Sequence, residues 1–385
     1  MFIASKRGSA RGVLIATALI ASLIAISGCS DSDEGTDIDA ATEETTVTQE
    51  GNETDDTGDN SDTTDSATTT DITENTSEVI DIYNAIFSET SADCGDYVNT
   101  LDANVVDIQN SLTFNADVII TATDTDCTIT SNSVPNHDFN DETAAFAGGA
   151  EGATIAATDT VSTITRNPTM AATTTALSQN VKNGIFLNGV RLDILSAGCY
   201  SPNSANADED GNTAIGCSAD DAWLLDPLST EAKFGADLNN AHTQPGGLYH
   251  YHGGPNAMFD DNPGSNGSPV IGFAADGFPI FGNYFNDNAT GSVRKAISGY
   301  ELRAGSRGER SDTNPGGDYN GIYNDDWEFT GNGDLDECNG MTVNGQYGYY
   351  VTDTYPWVIK CFKGTPDDSF GGADGAGPGG PPGGG

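Results

Sequence analysis

Four histidines occur in 385 residues. Three of them, His242, His250 and His252, lie within one short stretch, Asn240-Ala-His242-Thr-Gln-Pro-Gly-Gly-Leu-Tyr249-His250-Tyr251-His252-Gly. If Leu248 to His252 is extended, His250 and His252 project from one face and Tyr249 and Tyr251 from the other, because side chains alternate along a strand. Two imidazoles at that spacing converge on one ion at about 2.0–2.1 Å from each nitrogen. His242 precedes a Pro-Gly-Gly turn that folds it back as a third ligand. His137, in Ser131-Asn-Ser-Val-Pro-Asn-His137, is the candidate fourth. Neutral imidazole suits Zn, Cu, Ni or Fe, and Zn or Cu is the expected cofactor. A polar strand face whose histidines hydrogen-bond neighbours or water would carry the same pattern.

Carboxylates supply the other chemistry. Asp276, Asp336 and Glu337 are candidate acid–base partners of the histidines, which would make the site a metal-dependent hydrolase with Asp276 as first choice of base; they are equally suited to orienting metal-bound imidazoles. Asn206-Ala-Asp208-Glu-Asp210-Gly211-Asn212 spaces oxygen donors like the start of a calcium loop, but the twelfth position is Cys217 rather than Glu. Asn332-Gly-Asp334-Leu-Asp336-Glu337 is a second acidic run of that kind, so Ca is a possible cofactor. No Gly-x-Ser-x-Gly elbow, Walker loop or dinucleotide fingerprint is present.

The elements that must position these residues read as strands. Val118-Ile-Ile-Thr-Ala-Thr and Cys127-Thr-Ile-Thr are β-branched runs. Gly184 to Ile194 reads as a hairpin about Asn188-Gly189, Val270 to Phe281 as one about Asp276-Gly277, and Gly340 to Thr352 as one about Asn344-Gly345. Pro279 predicts an edge position for its strand. Ser77 to Ile86 predicts a short helix, with Ser77 as cap and Val79, Ile82, Tyr83 and Ile86 on one face. The fold class expected is mainly β: an irregular sandwich-like domain with many turns, stapled by disulfides, with few short helices. Tyr355-Pro-Trp357 is expected to pack in a core, with glycan stacking by Tyr-rich surfaces as the alternative.

Six cysteines follow Cys29. They allow fifteen pairings, of which their clustering in the sequence favours Cys94–Cys127, Cys199–Cys217 and Cys338–Cys361, and no Cys-x-x-Cys pair offers a thiolate metal site.

Charge bounds the partners. Fourteen Lys and Arg against 58 Asp and Glu leave a net charge of −44, which repels phosphate backbones and excludes electrostatic nucleic-acid binding. Lys6, Arg7 and Arg11 precede an apolar run from Val13 to Ile26 and then Ser27-Gly28-Cys29, the layout of a secretory signal peptide. Residues 31–78 are polar and acidic with almost nothing apolar, a composition that predicts a disordered linker extending beyond roughly 40 Å. The domain division is therefore a signal peptide at 1–28, Cys29 with the acidic linker to 78, a β-rich body at 79–370, and a Gly/Pro-rich tail at 371–385.

Two resemblances sharpen these readings. Ile-Ser-Gly-Cys29 resembles a bacterial lipobox, which implies lipidation of Cys29, tethering to the outer membrane through that lipid (Ser30 rather than Asp follows), and an exported location. Ser-Val-Pro-Asn-His137, Ala241-His242-Thr-Gln-Pro-Gly-Gly-Leu-Tyr-His-Tyr-His-Gly, Ile271-Gly-Phe-Ala-Ala-Asp276-Gly-Phe-Pro-Ile-Phe-Gly, Leu335-Asp-Glu-Cys-Asn-Gly340 and Tyr355-Pro-Trp-Val-Ile-Lys-Cys361-Phe together resemble the YHYH-domain family of exported bacterial proteins, over roughly residues 128–366. The family carries no established activity to transfer. Where a second Tyr-His-Tyr-His occurs in some members, this chain has Tyr347-Gly348-Tyr349-Tyr350, which leaves Tyr349 or Tyr350 as a substitute oxygen donor.

Overall fold

Alternation of apolar and polar residues builds the first layer. In the computed structural model, which describes residues 79–141, 155–229, 235–244, 246–261 and 263–371, a five-stranded sheet runs in sequence order: β1 (Ile80–Asp81), β2 (Asn99–Asp107), β3 (Leu112–Ala122), β4 (Asp126–Ser131) and β5 (Thr160–Thr165). β1 pairs parallel to β2, and the others form an antiparallel meander. Leu101, Ala103 and Val105, then Ala116, Val118 and Ile120, then Cys127 and Ile129 point inward and are buried. Each large apolar side chain among them contributes about 1.5–3 kcal/mol by leaving water.

The second layer is an eight-stranded mixed sheet. Its strands are β6 (Gly184–Phe186), β7 (Arg191–Leu192), β8 (Ala241–Thr243), β9 (Tyr249–Tyr251), β10 (Val270–Ala274), β11 (Pro279–Phe281), β12 (Gly340–Val343) and β13 (Gln346–Tyr350). Their spatial order is β8-β9-β7-β6-β10-β11-β13-β12. β6, β9, β10 and β11 are buried along their whole length; β6, β10 and β11 therefore read as continuous apolar or aromatic runs, while β9 alternates Tyr and His between two buried faces. One hydrophobic cluster holds side chains of both sheets. Tyr97 meets Phe273 edge-on at 5.7 Å, and Phe139 meets Tyr249 at 5.4 Å. Ser131 Oγ on β4 donates to the Gly189 carbonyl in the β6–β7 turn, and Gly189 (φ 78°) has no room for a Cβ against Ser131. The architecture is mainly β, and the only helical pieces among the described residues are three short 3₁₀ turns.

Three hairpin expectations hold, at Asn188-Gly189, Asp276-Gly277 and Asn344-Gly345. Two element expectations do not. The segment read as a helix is extended: β1 lies beside Leu101–Asp102, and Ile82 N donates to the Asp102 carbonyl. Of its apolar residues only Ile82 is buried, whereas Val79, Tyr83 and Ile86 are exposed, so the helical spacing has no face to bury; Ser77 lies outside the described residues. Pro279 is not at an edge, since β11 sits between β10 and β13. The sheet tolerates it because Pro279 opens the strand and pairing with β13 starts only at Ile280.

The three disulfides are Cys94–Cys127, Cys199–Cys217 and Cys338–Cys361, the pairing read from clustering. Cys29, the signal peptide, the linker and the tail beyond Gly371 lie outside the described residues.

Candidate metal centre

β8 and β9 form an antiparallel pair in which His242 stands directly opposite His250. The ladder continues one residue further, where His252 N donates to the Asn240 carbonyl at 2.8 Å. Strand alternation then places all three rings on one side. His252 Nε2 lies 3.1 Å from His250 Nε2 and 3.4 Å from His242 Nε2, and ring centroids are 4.7–4.9 Å apart. Each of the three residues is at most 4 % exposed.

The outer ring nitrogens fix which atoms face inward. His242 Nδ1–H donates to the Gly235 carbonyl at 2.8 Å, and His250 Nδ1–H points at the Leu248 carbonyl at 3.3 Å. That assignment leaves an Nε2 lone pair on each. His252 Nδ1 is buried near the Asp193 and Ile194 backbone without a hydrogen-bond partner among the described residues. Three Nε2 atoms therefore crowd one point, and a single Nε2–H on His252 serves only one of its two neighbours. A tetrahedral ion bound at about 2.0–2.1 Å instead spaces its nitrogens by about 3.3 Å, between the two separations found here. Burial, followed by the mutual repulsion of the rings for His250 and His252, holds their pKa values well below the ordinary imidazole range; burial lowers that of His242 too. Neutral rings are the form that ligates.

Sequence reasoning missed Arg191. It sits on β7, beside β9 through the Tyr251–Leu192 register, with its Nε 2.7 Å from Asp193 Oδ2. Its positive charge helps to keep His250 and His252 unprotonated. The available signal was Arg191-Leu-Asp193 on the strand after the Asn-Gly turn, but nothing in the sequence says that this strand adjoins the histidines.

His137 is not brought to the triad, which corrects its reading as fourth ligand. It faces the tyrosine side of β9: Tyr251 Oη donates to His137 Nε2 at 2.6 Å, and His137 Nδ1–H donates to the Asp138 carbonyl at 2.7 Å. Asn188 completes this buried network by donating to Tyr251 Oη at 2.9 Å and to Asn136 Oδ1 at 3.0 Å. Alongside, Tyr249 Oη donates to Asp237 Oδ2, whose carboxyl burial raises to about 6. His137→Ala is thus expected to cost about 2–4 kcal/mol, from a cavity plus an unsatisfied hydroxyl, yet leave bound metal per chain unchanged. Chemical denaturation with elemental analysis checks both. Burial also lowers the His137 pKa to about 4. Because the depressed value belongs to the folded state, its stability contribution is full above pH ~6.5 and is lost as pH falls toward 4, by up to about 3 kcal/mol. A variant lacking this ring should show a flatter stability profile across that window.

Asp276 does not reach the histidines either. Its buried carboxylate accepts from Tyr349 Oη at 2.6 Å and from Gly364 N at 2.9 Å, so it ties the β10–β11 turn to β13 rather than acting as base at the triad. Tyr349 is spent on that bond and on Lys363 N, and Tyr350 stacks on Phe281 at 5.0 Å, so neither is an oxygen donor to the site. Asp336 and Glu337 pair with Lys363. In the calcium-like runs, Asp208 Oδ1 caps Asp210 N and Asn212 N, Asn212 Oδ1 accepts from Tyr323, and Asp334 is held bidentately by Arg294. Tyr355, named with Trp357 for glycan stacking, is buried, as are Tyr249, Tyr251, Tyr349 and Tyr350. Tyr355 stacks on Trp327, and Trp357 Nε1 donates to Asp226.

The YHYH family, described as "YHYH protein", matches residues 161–364, slightly more than half of the chain. The span takes in the triad, the Asp276 turn and Cys361 but begins beyond His137, so the Ser133–His137 segment read as the family's opening lies outside it. No curated protein and no solved structure matches. With the Tyr249-His250-Tyr251-His252 strand inside a match of that extent, the chain belongs to the YHYH family.

Proposed function

We propose that this is an exported, membrane-tethered protein whose YHYH domain binds one transition-metal ion, Zn or Cu, through the Nε2 atoms of His242, His250 and His252. The observation that carries this reading is the convergence of three buried, neutral Nε2 atoms at 3.1 and 3.4 Å without enough protons to bridge them. Three imidazoles leave a fourth position to water or a small ligand. Three disulfides suit an oxidising compartment, and the signal and lipobox pattern supports export and an anchor at Cys29.

Titration of the purified chain with Zn²⁺, and with Cu⁺ under argon, tests the proposal. About one equivalent bound by the native chain and under about a tenth by a His250→Ala/His252→Ala variant is the expected result, since a lone imidazole holds such ions weakly. Negligible binding by both ends it. Burial lowers the proton affinity of the triad, so acid should displace the metal only below pH ~6.5, where ordinary imidazole begins to charge. Metal release monitored by a chromophoric chelator across pH 7.5 to 4 reads this directly; half-release above pH ~6.5 would contradict a buried neutral site.

A further inference from the structure

A second site lies apart from the histidines, in a half-open cleft of about 170 Å³. Its lining includes three aliphatic side chains, Leu177, Leu195 and Leu224. The same lining holds three charged side chains, Lys360, Asp221 and Asp325. Two disulfides lie close in sequence to its lining residues. Cys199–Cys217 anchors the loop that continues to Asp221, and Cys338–Cys361 anchors Lys360, whose backbone N–H donates to the Cys338 carbonyl at 3.1 Å.

Lys360 differs from Lys295 and Lys363. Lys295 is held by Asp353 and Lys363 by Glu337, but Lys360 makes no ion pair among the described residues; its ammonium lies 5.7 Å from the Tyr355 ring centroid. Burial pulls its pKa down, with the Asp325 charge only partly opposing that, so a ligand carboxylate placed beside it would restore the charged form. The two carboxylates have spare capacity. Asp325 Oδ2 accepts from Trp223 N, and Asp221 Oδ2 accepts from Ser218, while Oδ1 of each has no partner among the described residues.

A chain of net charge −44 repels a simple anion but not a zwitterion. A cavity of about 150 Å³ takes up benzene, so this cleft suits a ligand of roughly six to eight non-hydrogen atoms. We propose that the Lys360 cleft binds a small aliphatic zwitterion of the α-amino-acid class: its carboxylate on Lys360, its ammonium toward Asp325 and Asp221, and its side chain on the three leucines.

Isothermal titration of the full, oxidised chain with L-valine, isovalerate, isobutylamine and L-glutamate tests this. Saturable L-valine binding is expected, with isovalerate and isobutylamine, which each lack one charge, at least about tenfold weaker, and glutamate weaker too. Lys360→Met and Asp325→Asn should each weaken L-valine at least about tenfold while leaving the melting temperature and zinc stoichiometry near those of the native chain. No saturation by about 10 mM L-valine, isovalerate binding as well as valine, or undiminished binding by a folded Lys360→Met variant would each overturn the proposal. Should that variant fail to fold, the ligand panel on the native chain decides alone.

Discussion

Full reduction of the three disulfides is expected to unfold the domain in neutral, metal-free buffer at 25 °C. The cross-links span 33, 18 and 23 residues. In the chain-entropy description each such loop constrains the unfolded chain by about 3–4 kcal/mol, or about 10 kcal/mol for three independent loops. That equals the whole stability of an ordinary domain, about 5–15 kcal/mol. The topology supports the dependence on other grounds. Many strands are only two or three residues long, long-range pairings dominate, and no α-helix occurs among the described residues. Circular dichroism and tryptophan fluorescence with and without a phosphine reductant supply the measurement. A reduced chain melting within a few degrees of the oxidised one would show that the two-sheet core suffices without its staples.

The second large effect is a trade between stability and binding at the triad. His252→Leu is expected to raise the stability of the metal-free domain by about 1–2 kcal/mol, because it removes a buried ring nitrogen that lacks a hydrogen bond and relieves the crowding of three Nε2 atoms. The same change removes the ligand that touches both others. Zinc affinity should fall by on the order of a thousandfold, about 4 kcal/mol. Denaturant midpoints of metal-free native and variant chains, repeated with excess zinc, separate the two effects: the variant should be the more stable without metal and gain little when zinc is added. A variant destabilised without metal, with unchanged affinity, would mean that the triad is a hydrogen-bonded structural network.

Much of the site was legible because it is local. Leu248 to His252 alternates, a Pro-Gly-Gly turn brings His242 back, and the register of that one hairpin sets the triad. The disulfides were legible for a related reason, since each closes a short loop. What failed was non-local. His137 lies 114 residues from Tyr251, and its pairing across the two layers follows from how the five-stranded sheet stacks on the eight-stranded one. Asp276 looked like a base because it is a carboxylate inside the Ile271–Gly282 segment that resembles the family pattern, yet the parallel pairing of β11 with β13 presents Tyr349 to it. The helix expected near Ile82 had the right spacing and no surface to bury, and a sheet edge claimed the segment instead.

X-ray absorption at the zinc edge of the loaded, oxidised chain addresses the shared focus of the three rings most directly. The expected spectrum has a first shell at about 2.0–2.1 Å with outer-shell scattering from three imidazoles. A shell of oxygens alone, or of at most one imidazole, would contradict it.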